Sequence, residues 1–401
     1  MTKHEAKIPF RLLWAFLKRG NKWTLMLIMF LMAIAFINMF FVSSLFNGII
    51  KAADQQVIDA STGHIMILPD SKNDEIIDAK EAMQDIKEIP EVVGVSGSTI
   101  LTTTLTYNDI KGTWRTIAIN PDDEKTVTKI SERMIEGTYL DADDTSSIII
   151  GRQIAGGEDV EGDAFSFKDA GVGDTVTVGI NGITKDFIIT GIFYSKFIET
   201  DQQAFITHAA LKDFVPALDE TINRIVIRVG ENADESQVLN QIQALDINGS
   251  LYSWEDAAGL MKSVTKSFLS INVLMTLVAS LIAAVTIFIV IYINVSGKRQ
   301  QIGILRAIGV KPSLIVWSYV FQAIVYSVAG IIVGTALFFV ALVPYFNAYP
   351  FSLPIGDASL MFSPLDYFFR LETFILVAVG AGLIPVLFIT RIKLLNAIWG
   401  K

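Results

Sequence analysis

The sequence contains no cysteine, which excludes disulfide bonds, thiol catalysis and cysteine-ligated metal sites. Its three histidines, His4, His64 and His208, are scattered along the chain. No H-E-x-x-H metal motif, G-x-S-x-G nucleophile motif or G-x4-G-K-S/T phosphate loop is present. The acidic runs 122–124 and 158–163 lack the ligand spacing of a calcium loop and are typical of a solvated surface. We therefore predict no catalytic, cofactor-binding or metal-binding residue, and we expect that the chain is not itself an ATPase.

Charge is missing from four long apolar stretches: Trp23–Phe46, Phe268–Ile293, Leu314–Val343 and Thr373–Thr390. A helix needs about 20 apolar residues to cross a bilayer core of about 30 Å, so each stretch is long enough to span a membrane. The chain is 52% hydrophobic but also 18% charged, so a soluble domain accompanies these spans. Because ion-coupled transporters use ionisable groups at membrane depth, the charge-free spans argue against a secondary transporter.

Basic and acidic residues are segregated along the chain. Residues 51–265 carry 17 Lys and Arg against 37 Asp and Glu. Basic residues cluster instead before the first span, in the 297–313 loop and after the last span, whereas the 344–372 loop has only Arg370. The positive-inside rule therefore predicts that both termini and the 297–313 loop are cytoplasmic and that the acidic domain is outside. The first apolar run exceeds the core of a signal peptide and no A-x-A-like site follows it, so we expect an uncleaved anchor.

The predicted fold class is a membrane α-helical protein with four transmembrane helices and a large α+β extracytoplasmic domain inserted between helices 1 and 2. The predicted segments are a cytoplasmic amphipathic N-terminus (1–22), TM1 (23–46), the extracytoplasmic domain (47–265), TM2 (266–296), a cytoplasmic helix (297–313), TM3 (314–343), a short extracytoplasmic loop (344–372), TM4 (373–390) and a cytoplasmic tail (391–401). The N-terminal segment is also compatible with a simple positive flank.

Local patterns predict elements within these segments. Strands are predicted at His64–Leu68, Trp114–Ile119, Ser147–Ile150 and Arg224–Val229, and helices near 74–88 and 235–245. Asn181-Gly182 predicts a type I′ hairpin turn between the strands on either side of it. A helix is predicted to run from about Ser253 into the second span. The polar residues Asn38, Asn272, Gln322 and Tyr326 in the spans predict interhelical hydrogen bonds or substrate contact, and Gly330, Gly334, Gly380 and Gly382 predict close helix packing.

The loop Gly297–Pro312 predicts a short helix, with Gly309 as a left-handed cap and Pro312 preventing simple continuation. Ile302, Leu305 and Ile308 are expected to be exposed apolar side chains beside the basic residues of this loop. Two interpretations fit this composition equally well. The helix docks into a groove of another protein, or it lies on lipid headgroups.

Residues 299–309, R-Q-Q-I-G-I-L-R-A-I-G, resemble the R-x-x-E-I-G-I-L-R-A-I-G signature of the FtsX-like permease family, which includes MacB and the lipoprotein-releasing LolC/LolE permeases. Gln301 replaces the usual Glu and removes one charge. Residues 44–48 with 63–65 resemble the end of the first span, an N-G-F-like turn and the first strand of the lipoprotein-releasing type. Residues 150–155 with 173–176 resemble a G-R/K-x-L-A…G-D-x-V pattern of the MacB-like periplasmic domain.

This resemblance implies an ABC transporter permease in a cell inner membrane that works by mechanotransmission. Two copies of a separate ABC ATPase would bind ATP and Mg, and a second permease, identical or homologous, would complete the assembly. The ATPase-coupling residues carried over from the signature are Arg299, Gln301, Ile302, Gly303, Ile304, Leu305, Arg306, Ala307 and Gly309. The implied substrates are lipoproteins taken from the outer leaflet, with membrane lipid as a contact and no nucleic acid. Export of peptides, antibiotics or other lipids, and signalling to a cell-wall hydrolase, remain alternatives.

Overall fold

The computed structural model describes residues 22–70, 75–157, 160, 165–219, 221–230, 233–257, 260–353 and 356–390. The chain divides into two compact units. The membrane unit comprises the described parts of Met1–Lys51, Lys266–Leu353 and Asp357–Lys401, and the external unit comprises those of Ala52–Thr265 and Pro354–Gly356. The predicted N-terminal segment, apart from Lys22, and the predicted tail 391–401 lie outside the described residues.

The helices and strands are divided between the two units along the chain. The helices are α1 (Lys22–Val57), α2 (Ala79–Lys87), α3 (Pro121–Val127), α4 (Arg152–Ala155), α5 (Ile198–Asp201), α6 (His208–Phe214), α7 (Glu235–Gln243), α8 (Trp254–Ala257), α9 (Leu260–Gly297), α10 (Arg299–Ala307), α11 (Pro312–Leu337), α12 (Val343–Ala348) and α13 (Pro364–Thr390). The strands are β1 (Ile65–Leu68), β2 (Val92–Tyr107), β3 (Ile110–Ile119), β4 (Met134–Gly137), β5 (Ser147–Gly151), β6 (Thr175–Ile180), β7 (Ile183–Phe193), β8 (Gln203–Thr207), β9 (Arg224–Val229), β10 (Ser250–Ser253), β11 (Phe351–Leu353) and β12 (Gly356–Ala358).

Four helical segments each contain a stretch that is long and apolar enough to cross a membrane: Lys22–Thr62, Lys266–Gly297, Pro312–Ala348 and Pro364–Phe388. Residues 52–62 of the first segment already belong to the external unit. Their side chains share one core that draws on α1, α9, α11 and α13. Gly330 on α11 allows part of this packing, because a Cβ there would lie 2.6 Å from the Cβ of Met32 on α1. The predicted fold class, four membrane helices with an α+β domain inserted after the first, is confirmed.

The first membrane helix does not end at an Asn-Gly turn, so that prediction is wrong. Asn47 and Gly48 lie inside α1, which continues to Val57. Gly48 serves close packing instead, because a Cβ at this position would lie 1.7 Å from the carbonyl oxygen of Ser359. The amide of Met361 also donates a hydrogen bond of 3.0 Å to the carbonyl oxygen of Ser44, so this loop is bonded to the side of the helix.

The last membrane helix begins at Pro364 rather than near residue 373. Pro364 occupies the first turn, where a missing amide hydrogen costs nothing, and the Ser363 hydroxyl accepts a hydrogen bond of 3.0 Å from the Asp366 amide. The expectation that the spans lack ionisable residues is therefore wrong here, because Asp366, Arg370 and Glu372 all lie on α13. Because these three residues carry charge, the sequence predicts them in the 344–372 loop instead.

The external unit is built on a ten-stranded mixed sheet with the order β10-β1-β9-β2-β3-β8-β5-β7-β4, to which β6 adds by pairing with β2 and β7. The β3–β8 and β5–β7 pairs are parallel and the others antiparallel. Buried side chains cover this sheet in separate apolar clusters, one around Phe167 and Phe187 and another around Ile227 and Val238.

The sequence patterns of the external domain are confirmed. The four predicted strands coincide with β1, β3, β5 and β9, and the two predicted helices with α2 and α7. The β6–β7 hairpin turns at Asn181 and Gly182, whose φ angles of 50° and 87° are those that a type I′ turn requires. The helix predicted from Ser253 is present as α8 and α9, with residues 258–259 outside the described part.

Candidate functional site

The signature residues form a nine-residue helix, α10, between two membrane helices. Its end is a Schellman motif, because the Gly309 amide bonds the Arg306 carbonyl and the Val310 amide bonds the Leu305 carbonyl, both at 3.1 Å. Gly309 has φ +95°, a value that residues with a side chain adopt only with strain. The predicted short helix and its glycine cap are confirmed, and Pro312 opens α11 directly afterwards.

One face of α10 is buried in the membrane unit. Ile302 is 1% exposed and belongs to the common core of the membrane helices, and the neighbouring Gly303 is buried too. Leu305 and Val310 pack partly against the same core. The expectation that Ile302 and Leu305 are exposed apolar side chains is therefore wrong. They hold α10 against the ends of the membrane helices.

The opposite face of α10 is exposed and partly apolar. Ile304 is 50% exposed and Ile308 is 73% exposed, as measured by the accessible fraction of each residue. Gln301 and Ala307 lie on this face as well and are exposed. These four residues, Gln301, Ile304, Ala307 and Ile308, are called the docking face below. Such a short apolar patch bordered by polar side chains is typical of a protein-binding or membrane-binding surface.

Basic side chains flank the docking face. Burial lowers the pKa of Lys298, which is half-buried at the start of α10. Arg299 and Arg306 are also half-buried, and the Nε of Arg299 has no hydrogen-bond partner among the described residues. A half-buried guanidinium keeps its charge, so it favours an acidic group on any bound surface. The arrangement can bind another macromolecule, and it contains no group placed for covalent chemistry.

Polar side chains on α9 and α11, the helices that precede and follow α10 in the chain, form hydrogen bonds with one another. Tyr326 accepts a hydrogen bond of 3.3 Å from the Asn294 amide and another from the Gln322 amide. The interhelical bond predicted for Tyr326 is thus confirmed, and Asn272 also bonds across helices, whereas the bond of Gln322 to Tyr326 lies within α11. Asn38 is exposed on α1. The predicted interhelical bonds do not include Asn294, although it lies within the predicted TM2 (266–296), where an asparagine is a signal for such a bond.

A buried ion-pair group lies in the external unit just after α1. Asp59 is 6% exposed and accepts hydrogen bonds from the Arg228 guanidinium and, at 2.9 Å, from the Gln55 amide. Lys129 Nζ lies 3.2 Å from its other oxygen. Burial alone would raise the pKa of Asp59, but the hydrogen bonds from Arg228 and Gln55 and the charges of Arg228 and Lys129 outweigh it and hold the pKa below its usual value. Arg228 also donates a hydrogen bond of 2.7 Å to the Val127 carbonyl oxygen.

Comparison with known families identifies both units. Residues 25–245, more than half of the chain, match the MacB-like periplasmic core domain, and residues 273–394 match the FtsX-like permease C-terminal family. The chain belongs to the MacB-like and FtsX-like family of ABC transporter permeases. All nine signature residues fall within the FtsX-like region. The four apolar helices and the MacB-like domain make this permease a membrane protein with an extracytoplasmic domain.

Individual relatives of this permease are distant. It is 26% identical over 156 residues to the ABC transporter permease YtrF of Bacillus subtilis (strain 168), a match that covers 38% of this chain and 36% of that protein. The chain thus spans about a third of that relative's length.

Two solved structures are similar to part of this chain. The crystal structure of the periplasmic region of MacB from Actinobacillus actinomycetemcomitans covers 51% of this chain and 94% of its own, at 10% identity and a TM-score of 0.36. The crystal structure of the extracellular domain of the noncanonic ABC-type transporter YknZ from Gram-positive bacteria covers 47% of this chain and 97% of its own, at 14% identity and a TM-score of 0.33.

Proposed function

We propose that this permease is the membrane subunit of an ABC transport system and that a separate ATPase binds the docking face of α10. The observation that carries the proposal is the division of α10 into a buried face, which fixes it to the membrane helices, and an exposed face with Ile304 and Ile308. A helix held in this way moves with the bundle when its exposed face is pushed. ATP and Mg would bind the partner, because this sequence has no phosphate loop.

The proposed assembly contains two ATPase copies and a second permease, identical or homologous, in the cytoplasmic membrane. Both termini and α10 would be cytoplasmic. The nine signature residues would share the coupling: the docking face makes the contact, while Ile302, Gly303 and Leu305 transmit the load to the bundle and Gly309 ends the helix. Arg299 and Arg306 would pair with acidic groups of the ATPase.

Helix α9 offers a route for the motion to reach the external unit. It is uninterrupted from Leu260 to Gly297, and its 38 residues make it about 57 Å long at 1.5 Å per residue. Nucleotide binding needs to favour one of two packings by only a few kcal/mol to drive such a switch. Extraction of lipoproteins from the outer leaflet is the proposed use of this motion. The same motion would also serve export of peptides, antibiotics or other lipids, or activation of a cell-wall hydrolase.

The test is reconstitution of the full chain with its ATPase and a measurement of binding and ATP hydrolysis. Ile304→Asp should weaken ATPase binding at least tenfold, because it places a charge at the centre of the docking face. Ile183→Asp in the β6–β7 hairpin is the matched control, since Ile183 is also 50% exposed. Equal binding by the wild type and Ile304→Asp would contradict the proposal. Stimulation of ATP hydrolysis by a triacylated lipopeptide, but not by the same peptide without acyl chains, would support the lipoprotein substrate over the alternatives.

A further inference from the structure

Five polar side chains meet at the end of the membrane unit that joins the external domain. Ser43 and Asn47 lie on α1, Asn272 on α9, and Asp366 and Arg370 on α13. We call them the outer polar group. The Asn272 amide donates a hydrogen bond of 3.0 Å to the Asn47 side-chain oxygen, and the Asn47 amide donates one of 3.3 Å to Asp366 Oδ2. The carboxylate of Asp366 is therefore engaged by a neutral amide.

The guanidinium of Arg370 has hydrogen-bonding capacity that the described residues do not fill. Its Nη2 donates a hydrogen bond of 2.8 Å to the Ser43 hydroxyl, which carries no charge. Its Nε is buried and has no acceptor among the described residues, and the charge of Asp366, one turn earlier on α13, acts on the guanidinium electrostatically. A charged group at membrane depth is costly unless an opposite charge or hydrogen-bond acceptors surround it. The residues at this level therefore supply less than a guanidinium requires.

Packing on both sides fixes the level at which Arg370 sits. Tyr367, three residues earlier on the same face of α13, shares a hydrogen bond of 2.9 Å with the Thr335 hydroxyl of α11. Phe374, four residues later, is fully buried and its ring lies 5.3 Å from that of Phe36. Arg370 cannot leave this level without disturbing both contacts. Its side chain is nevertheless half-exposed, so its outer nitrogens are accessible to a ligand.

The other face of the same turns is apolar and open. Leu365 is 82% exposed, and Phe368 and Phe369 are each 65% exposed. Tyr345 and Tyr349 on and just after α12 are exposed as well. Exposed aromatic residues at the end of a membrane helix are typical of the headgroup level of a bilayer. A cation with an unfilled hydrogen-bonding capacity thus lies beside side chains suited to acyl chains.

We propose that Arg370 binds the phosphate group of a membrane phospholipid, with Ser43 orienting the guanidinium and Leu365, Phe368 and Phe369 contacting the acyl chains. Arginine matches phosphate oxygens with two parallel N–H groups, and the bond between the two charges is stronger than one to a neutral acceptor. Lipid phosphates are the anions present at this level of a bilayer, which favours a lipid over a free anion. The assignment is independent of the transported substrate.

The test uses the delipidated full chain in detergent and counts bound lipid by native mass spectrometry. Dioleoylphosphatidylglycerol is titrated against dioleoylglycerol, which has the same chains without the phosphate, and against inorganic phosphate. Arg370→Gln should weaken the tightest phosphatidylglycerol site about tenfold or more, because it removes a charge-assisted bond. Arg370→Lys should weaken it about threefold, because the charge remains without the fork of nitrogens. Lys51→Gln is the matched control, since Lys51 is an exposed cation at the same end of the bundle and should leave the site unchanged.

Several outcomes would overturn the assignment. Equal phosphatidylglycerol binding by wild type and Arg370→Gln would do so, as would an equal loss in Arg370→Gln and Lys51→Gln. Dioleoylglycerol binding as tight as phosphatidylglycerol would remove the phosphate from the site, and inorganic phosphate binding as tight would remove the lipid. If Arg370→Gln fails to fold, Ser43→Ala takes its place. It should lower phosphatidylglycerol affinity severalfold while dioleoylglycerol binding stays the same, and a wild-type affinity for phosphatidylglycerol would contradict the proposal.

Discussion

Asp59 concentrates more charge interaction than any other buried acid in the described part of the external unit. It faces two cations, Arg228 and Lys129, and also accepts from Gln55. The backbone oxygen of Asp59 accepts a hydrogen bond of 2.7 Å from the Lys129 backbone amide. The segment after α1 is therefore bound to the connection between α3 and β4 by both main chain and side chain. Buried charges arranged in this way stabilise one conformation, because separating them leaves a charge without a partner.

We expect Asp59→Asn to lower the free energy of unfolding of the external unit by about 2–4 kcal/mol, since Arg228 keeps its charge and loses its carboxylate. Asp123→Asn is the matched control, because Asp123 forms an exposed pair with Lys87 at 3.0 Å and should cost less than about 1 kcal/mol. Hydrogen exchange of the β9 amides in the full chain measures the difference. Similar protection in the two variants would contradict the prediction.

The lowered pKa of Asp59 also makes the contribution of this group to stability depend on pH. The pKa of the Asp59 carboxyl in the folded chain lies below its usual value, so the folded state binds fewer protons than the unfolded state. Its contribution to stability is therefore complete above about pH 4 and declines as the pH falls through the folded pKa. In Asp59→Asn the acid loss of β9 protection, after correction for intrinsic exchange, should be smaller than in the wild type.

Among the elements, α10 shows what the sequence can and cannot predict. Its length and its glycine cap follow from local rules, because Gly309 supplies a conformation that other residues avoid and Pro312 starts a new helix. Which face is buried does not follow, since isoleucine occurs at 302, 304 and 308 and a shift of one residue turns a helix by about 100°. Only the contacts of the membrane helices select Ile302 for the core.

The predicted start of α13 is wrong for a different reason. A run without charge predicts the fourth span only from residue 373, but the first turns of α13 carry Asp366, Arg370 and Glu372. Asp366 accepts a hydrogen bond from Asn47 and Arg370 donates one to Ser43, and both partners lie on α1. These partners are more than 300 positions away in sequence, at separations of 319 and 327 residues, so no local pattern reveals them.

Close packing of α11 on α1 can be tested with a pair of glycines. Gly330→Ala should lower the stability of the bundle by about 1–3 kcal/mol, because the new Cβ would lie 2.6 Å from that of Met32. Gly380→Ala on α13 should leave stability unchanged or raise it by up to about 1 kcal/mol, because nothing lies within 4 Å and alanine favours a helix. Unfolding of the purified chain by sodium dodecyl sulfate in mixed micelles measures both. An equal effect of the two substitutions would show that Gly330 does not set the helix spacing.

At the scale of the whole molecule, two helices cross between the units along the chain. Helix α1 ends at Val57, within the external unit, and α9 begins at Leu260, also within it. Both therefore form covalent paths between the bundle that holds α10 and the sheet of the external unit. The charge distribution then decides which end of this bundle faces the cytoplasm, since an α-helical bundle crosses a membrane in either direction and the flanking Lys and Arg select one.

The absence of cysteine makes that orientation directly measurable, because a single introduced thiol reacts on an empty background. Lys111→Cys in β3, Tyr349→Cys after α12 and Gln300→Cys in α10 all replace exposed residues. In spheroplasts we expect a membrane-impermeant maleimide to label the first two variants at once and Gln300→Cys only after the membrane is opened. Labelling of Gln300→Cys in intact spheroplasts would place α10 on the wrong side for an ATPase. The assignment of the docking face to an ATPase would then have to be withdrawn, whereas the phospholipid site at Arg370 would move to the opposite leaflet and keep its chemistry.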